Sequence, residues 1–391
     1  MKVRLSGTNL ERAADHNQRV TLHAIRVNGS LTRVDLAAIT GLTPPAIANI
    51  TRRLLQEGLI EEAGQLRGGR GQPPTRFAVA KDACYAIGVN IDRDHLTLVL
   101  VNFVGETLAR RTRETAFALP GEVSIFWRES VEAMIAEAGI DRARLVGLGI
   151  AIPDDLGVID LSGRPADYAE WNDVRLEELF AEPLGLPVFV ENDAAAAAMG
   201  EMQLGLGHSY GSFFYILVSW ALGGGLVVEG NYVRGAHGRS GEIGFLRGED
   251  AFGAREQLQK FVSLSGLSRY LEGCGFTLGD MSAAEVRREV DVAVQRWAGE
   301  AALKLAEALV AVNCLIDPAA VLIGGRLPAR YLDALARYAR DFLHSHAAEM
   351  PQIAPIRRAA LSQDAPAVGG AILPFSHFLL PRATSLWKPA S

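Results

Sequence analysis

Only 3 cysteines occur in 391 residues, and Cys84, Cys274 and Cys314 lie far apart with no Cys-x-x-Cys pair. That excludes a disulfide framework and a cysteine zinc knuckle. Aromatic residues are scarce at 7%, against 40 glycines, a balance that favours a turn-rich α/β protein over a β-sandwich. With 49% hydrophobic and 21% charged residues, a mostly disordered or collagen-like chain is excluded. The first 19 residues contain no apolar stretch that a secretion signal could use. One uncharged run, Ser209 to Val228, is long enough to raise a membrane question. It holds Ser219 and the Gly223-Gly224-Gly225 triplet, so strand, tight loop and strand is the expected form. A cytoplasmic protein of two or more domains, without membrane insertion, is expected.

Charge is unevenly distributed. Residues 1–80 carry 11 Lys/Arg and 6 Asp/Glu, a local net of +5, whereas the whole chain is at −6. A small basic head on a large acidic body suggests that the head meets a polyanion.

The head has a readable plan. Val20, Leu22, Ala24, Ile25 and Val27 give a broad helical face that Gly29 ends. Thr32 can cap a short helix from Arg33 to Thr40, closed by Gly41. Thr43 is a suitable N-cap for a third helix, with Pro44 at its first position, where a missing N–H costs nothing. This is the helix-turn-helix plan. Leu59-Ile60 and Arg76-Phe77-Ala78-Val79 read as two strands of a wing, with residues 61–74 as its loop. Thr43, Pro44, Pro45, Ala46, Asn49, Arg52 and Arg53 point away from the apolar stripe of Ile47, Ile50, Leu54 and Leu55. Asn49 suits adenine, and the two arginines suit phosphate or guanine. Arg67 and Arg70 at the wing tip suit a narrow A·T minor groove. A winged helix used for protein contact is the other reading.

Beyond Lys81 strands alternate with helices, which means an α/β body. Its motifs in order are IGVNI, GLGIAIP, EWNDVRLEELFAEPLGLPVFVENDAAAAAMGE, LVSWALGGGLVVEG, GAHGRSGEIGF and NCLIDPAAVLIGG. This order closely resembles the ROK family of repressors, open reading frames and sugar kinases, over nearly the whole chain. The resemblance implies a two-lobed, actin-like (ribonuclease H-like) domain behind a winged helix-turn-helix. The expected divisions are a DNA-binding domain at 1–81, lobe I at 82–193 completed by a C-terminal helix of about 365–391, and lobe II at 194–364.

ROK kinases transfer phosphate from ATP to a sugar hydroxyl, and their first hairpin turn resembles Asp-x-Gly-Gly-Thr. Here it reads Asn90-Ile91-Asp92-Arg93-Asp94, so two carboxylates replace glycines whose bare backbone would lie against phosphate. In the second phosphate loop Trp220 replaces a small hydroxyl residue beside Gly223–Gly225, and the triplet reads equally as a tight turn. The resemblance therefore implies neither ATP binding nor catalysis. The sugar side is better kept. Asn192 and Asp193 stand at a strand end, a usual ligand position in open α/β sheets, and the kinases' general base matches Asp193. Glu242 matches a sugar-binding Glu and Gln259 aligns with a second. A helix cap and a surface Glu are the alternatives for these positions. Phe245 stands where the family has a zinc-binding His, and residues 246–259 contain no cysteine, so neither zinc nor any other cofactor is expected. His237, near Glu242, is either a ligand donor or a loop residue.

The resulting expectation is a sugar-responsive repressor that binds a palindromic operator as a homodimer or homotetramer. Two alternatives remain: a repressor signalled by a partner protein, and a ROK sugar kinase with an appended DNA-binding head.

Overall fold

The computed structural model describes residues 10–65, 74–158, 164–249, 253–283, 285–345, 352–361 and 363–381. Arg67 and Arg70 of the wing tip lie outside them, as do residues 382–391.

The head is built from α1 (Leu10–Asn28), β1 (Ser30–Thr32), α2 (Arg33–Thr40), α3 (Pro44–Gln56), β2 (Ile60–Gln65) and β3 (Thr75–Val79). Thr32 and Asp35 form a reciprocal capping box that starts α2, and Gly41 at φ 70° ends it in the left-handed region. Thr43 is the N-cap of α3, but its side chain makes no capping bond; Pro45, at the second helical position, removes one of the two donors it would satisfy. The three strands pair antiparallel in the order β1-β3-β2, a winged helix with β2 running five residues past the expected Ile60.

The first body layer comprises β4 (Tyr85–Ile91), β5 (His95–Asn102), β6 (Thr107–Glu114), α4 (Pro120–Ala138), β7 (Leu145–Ile152), α5 (Leu176–Leu179), β8 (Val188–Asn192) and α6 (Asp193–Leu204). Its sheet order is β6-β5-β4-β7-β8, with β4, β7 and β8 parallel. β4 and β5 are buried throughout, which is why both read as continuous apolar runs.

The second layer comprises β9 (Phe213–Val218), β10 (Leu222–Val228), β11 (Asn231–Tyr232), β12 (Arg247–Glu249), β13 (Arg255–Gln257), α7 (Leu264–Gly273), α8 (Leu278–Ser282), α9 (Arg288–Ile316), β14 (Ala320–Gly325), α10 (Ala329–Ser345) and β15 (Ile356–Arg358). Its sheet order is β11-β10-β9-β14-β15. Among the described residues the last element, α11 (Ala365–Phe378), returns to the first sheet and packs on α6, β7 and β4.

The triplet Gly223–Gly225 is not a loop, contrary to expectation. It lies within β10, paired with Leu217, Ile216 and Tyr215, and the turn is Ser219–Ala221. The glycines are there for packing. A Cβ at Gly223 or Gly225 would lie 2.7 or 2.6 Å from the Cβ of Ala194 or Ala198, so only bare backbone lets α6 rest on the strand. The same device joins α6 to α11, where a Cβ on Gly369 would fall 1.8 Å from the Ala196 carbonyl oxygen.

Candidate functional site

Parallel strands β7 and β8 end side by side, and their carboxyl ends deliver Pro153-Asp154 and Asn192-Asp193 to one cleft. Strand β10 and the loop after β11 close it from the second sheet. The lining includes Asn192, Asp193, Glu242, Phe245 and Gln259, so five of the six expected ligand residues meet here. His237 does not line the cleft and stands exposed. It sits between Gly235 and Gly238, both at positive φ, and that turn carries it outward while bringing Arg239 in.

Asn192 is the N-cap of α6, its Oδ1 accepting from the N–H groups of Ala194 and Ala195 at 2.9 and 3.1 Å. Its Nδ2 donates to Asp154 Oδ2 at 3.1 Å. Cap and cleft residue are thus one side chain. Asp193 accepts from the Ala194 N–H at 2.8 Å and is buried. Burial above all, with Asp92 adding to it and Arg93 opposing it, pushes the Asp193 carboxyl up to about 7. Phe245 is an exposed apolar wall, and Gln259 donates to Gln257 at 2.7 Å.

Arg239 was not foreseen. It donates to Asp155 at 2.7 Å and to Glu242 at 3.0 Å, and lies 3.9 Å from Asp154. The guanidinium therefore spans the cleft mouth, and its two hydrogen bonds hold its own pKa up. Asp154 was missed as well, although its place two residues past the end of β7 is a signal that could have found it; nothing in the sequence singled out Arg239. Glu201, also missed, is structural: its buried carboxylate accepts from the N–H groups of Leu206, Ala360 and Leu361 at 2.9, 2.8 and 3.0 Å.

The β4–β5 turn differs from two free carboxylates facing a phosphate site. Asn90, Asp92, Arg93 and His95 are all buried. His95 bonds Asp94 at 2.7 Å through one ring nitrogen and Asn90 at 3.0 Å through the other. Asp94 also pairs with Arg326 at 2.5 Å, and Arg326 reaches Glu114 at 2.6 Å. Arg326 follows β14, so this ion pair clasps the two sheets together. Arg93 lines the cleft. Trp220 does not line the cleft: it packs against the core of the second sheet.

Two groups that a sugar kinase of this fold would hold, nucleotide and zinc, would meet the following residues here. A nucleotide would have to lie against a buried, hydrogen-bonded Asp-Arg-Asp turn with no glycine N–H cradle. For zinc, position 245 is Phe and residues 246–259 offer neither His nor Cys, so no tetrahedral sulfur and imidazole set exists there.

On the head, Thr43, Pro44, Pro45, Asn49, Arg52 and Arg53 are exposed and Ala46 is half-buried. Arg52 donates to Asn49 Oδ1 at 3.0 Å, and Arg53 pairs with Glu57 at 2.8 Å. Asn49 and Arg52 thus present a preformed pair on the open face of α3.

A family model described as ROK matches residues 86–376. The chain belongs to the ROK family. A second model, described as winged helix-turn-helix DNA-binding, matches residues 15–61, so the expected order of a winged helix before an α/β ROK domain holds. Among relatives, an uncharacterized protein of Sinorhizobium fredii is 29% identical over 367 residues, covering 92% of this chain and 90% of that one. The xylose repressor of Bacillus subtilis is 23% identical over 373 residues, covering 93% and 96%. The crystal structure of a ROK family transcriptional regulator, a homologue of the E. coli MLC protein, matches with TM-score 0.67 and 20% identity over 96% of this chain and 99% of that one; that likeness speaks to fold alone.

Proposed function

We propose that this chain is a sugar-responsive, DNA-binding transcriptional repressor and not a kinase. One observation carries the reading: a winged helix is fused to a body whose cleft gathers polyol acceptors while its phosphate-side turn is buried and clasped. Asp193, Glu242, Asn192 and Gln259 supply acceptors and amides for vicinal hydroxyls, and Phe245 supplies an apolar face for the ring. With no phosphoryl donor, Asp193 acts as a hydrogen-bonding partner and not as a base.

The mechanism follows from two states. The effector enters between the sheets and favours one closure angle, and the change in closure reorients the heads on a two-fold operator. A roughly 100-fold preference for one state corresponds to about 2.7 kcal/mol of coupling. An operator of two half-sites read by a dimer or a dimer of dimers belongs to this reading, as do a cytoplasmic location and the absence of zinc.

The test uses the full chain. A duplex is selected from a random-sequence pool by wild-type protein, and monosaccharides are then screened for melting shifts and DNA release. Release by a sugar with no ATP turnover supports the reading. ATP-dependent phosphorylation of any sugar in the panel sinks it.

A further inference from the structure

Helix α6 connects two distant places. Its first turn is the cleft, through Asn192 and Asp193. At its other end Gln203 accepts from Arg26 of α1 at 2.9 Å, and Leu204 packs at Gly105 of the β5–β6 turn. Arg26 also donates from Nε to the Phe103 carbonyl oxygen at 3.1 Å, beside the same turn. Seven residues earlier on α1, hence on the same face, Arg19 donates to the carbonyl oxygens of His377 and Leu380 at 3.0 and 3.3 Å. These carbonyls close the C-terminal end of α11, where a cation is favoured by the unpaired acceptors.

The head is therefore gripped at two points by the C-terminal ends of two helices. Those helices meet backbone to backbone at Ala196 and Gly369, a close contact that passes a shift of one to the other. The grip is also dry. Leu22, Ile25 and Leu31 of the head share one apolar cluster with Phe103, Val101, Phe375 and Leu380 of the body. Within it burial lowers Arg26 to about 10, and burial, with Arg26 and His208 nearby, lowers His23 to about 4. A charged guanidinium kept in such surroundings costs stability unless its bonds hold. Arg26 Nη2 and His23 Nδ1 have no partner in this arrangement, so the joint leaves hydrogen-bonding capacity that a different seating of α1 can use.

We propose that Arg26, with Arg19 beside it, is the residue through which the state of the cleft sets the position of the DNA-reading head, the α6–α11 block being the lever between them. This rests on the cleft being the effector site. Arg26 is a positioning residue: it touches neither the cleft nor the open face of α3.

The experiment compares wild type with Arg26→Met, Arg26→Lys and, because burial makes the first change hazardous, Gln203→Leu. The probe is the duplex selected from random DNA, titrated with and without the monosaccharide that shifts wild-type melting. In Arg26→Met and Gln203→Leu the sugar should still shift melting, while the ratio of DNA affinities without and with sugar falls by roughly tenfold or more. Arg26→Lys should restore part of that ratio. An unchanged ratio, with affinity lowered equally in both conditions, would show a merely structural role and overturns the proposal. If no monosaccharide affects wild type, the effector reading fails by itself. The lever is then judged without ligand, by combining Arg326→Ala, which opens the clasp between the sheets, with Gln203→Leu. Effects on DNA affinity that differ from additivity by more than about threefold support the lever, and strict additivity sinks it.

Discussion

Asp193 shows how one side chain can be both folded-state burden and functional group. Its carboxyl, raised from 3.8 to about 7 by burial, is disfavoured in the charged form. A raised acid contributes stability at low pH and loses it as pH rises through the window from 3.8 to 7. Asp193→Asn should therefore melt higher than wild type at pH 8, with the difference shrinking toward pH 4.5 in thermal melts across that range. Asp193→Ala should abolish the sugar response and leave DNA binding intact; normal release by sugar in that variant would put the effector elsewhere. Asn192 and Asp193 were legible because strand ends are read from apolar runs and these two close such a run, whereas Glu242 and Gln259 came from the family resemblance alone. Arg239 was not legible, since its role depends on a glycine-bounded turn that swaps it for His237, and no local pattern encodes which of the two faces inward.

At the scale of elements, the three helices of the head and two of its strands followed from caps, periodicity and apolar runs, whereas the three-residue strand β1, too short to leave a pattern, did not, and the alternation of strands and helices gave the body. The glycine triplet was misread because local sequence favours a turn, whereas packing against the alanines of α6 decides the matter. The seam between α6 and α11 makes a sharper claim. Gly369→Ala places a methyl 1.8 Å from a carbonyl oxygen, so backbone has to move. The expected loss is about 3 kcal/mol or more, read from urea-induced unfolding of the full chain. A loss below about 1 kcal/mol would mean that the two helices slide freely and transmit little. The wing tip, by contrast, was read from composition alone, and Arg67 and Arg70 lie outside the described residues.

For the whole molecule, a head of local net +5 on a chain of −6 gives a charge asymmetry that draws the head, and not the body, toward phosphates. Arg52→Ala should weaken the selected duplex by about 1–3 kcal/mol if Arg52 reads guanine, with specificity relaxed at one position of each half-site. If Arg52 holds only phosphate, the loss is uniform across sequences and the salt slope falls by about one unit. Fluorescence anisotropy on matched and mutated duplexes separates these outcomes, and no change in either removes Arg52 from the interface. The clasp of Arg326 on Asp94 behaves differently toward ions. Its partners are 18% and 15% exposed, so added electrolyte that strips counterion-dependent contacts from the double helix barely screens it. Salt thus acts on the DNA contacts and leaves the clasp in place, and a plot of log affinity against log salt should keep its steepness when sugar is bound while the whole line drops.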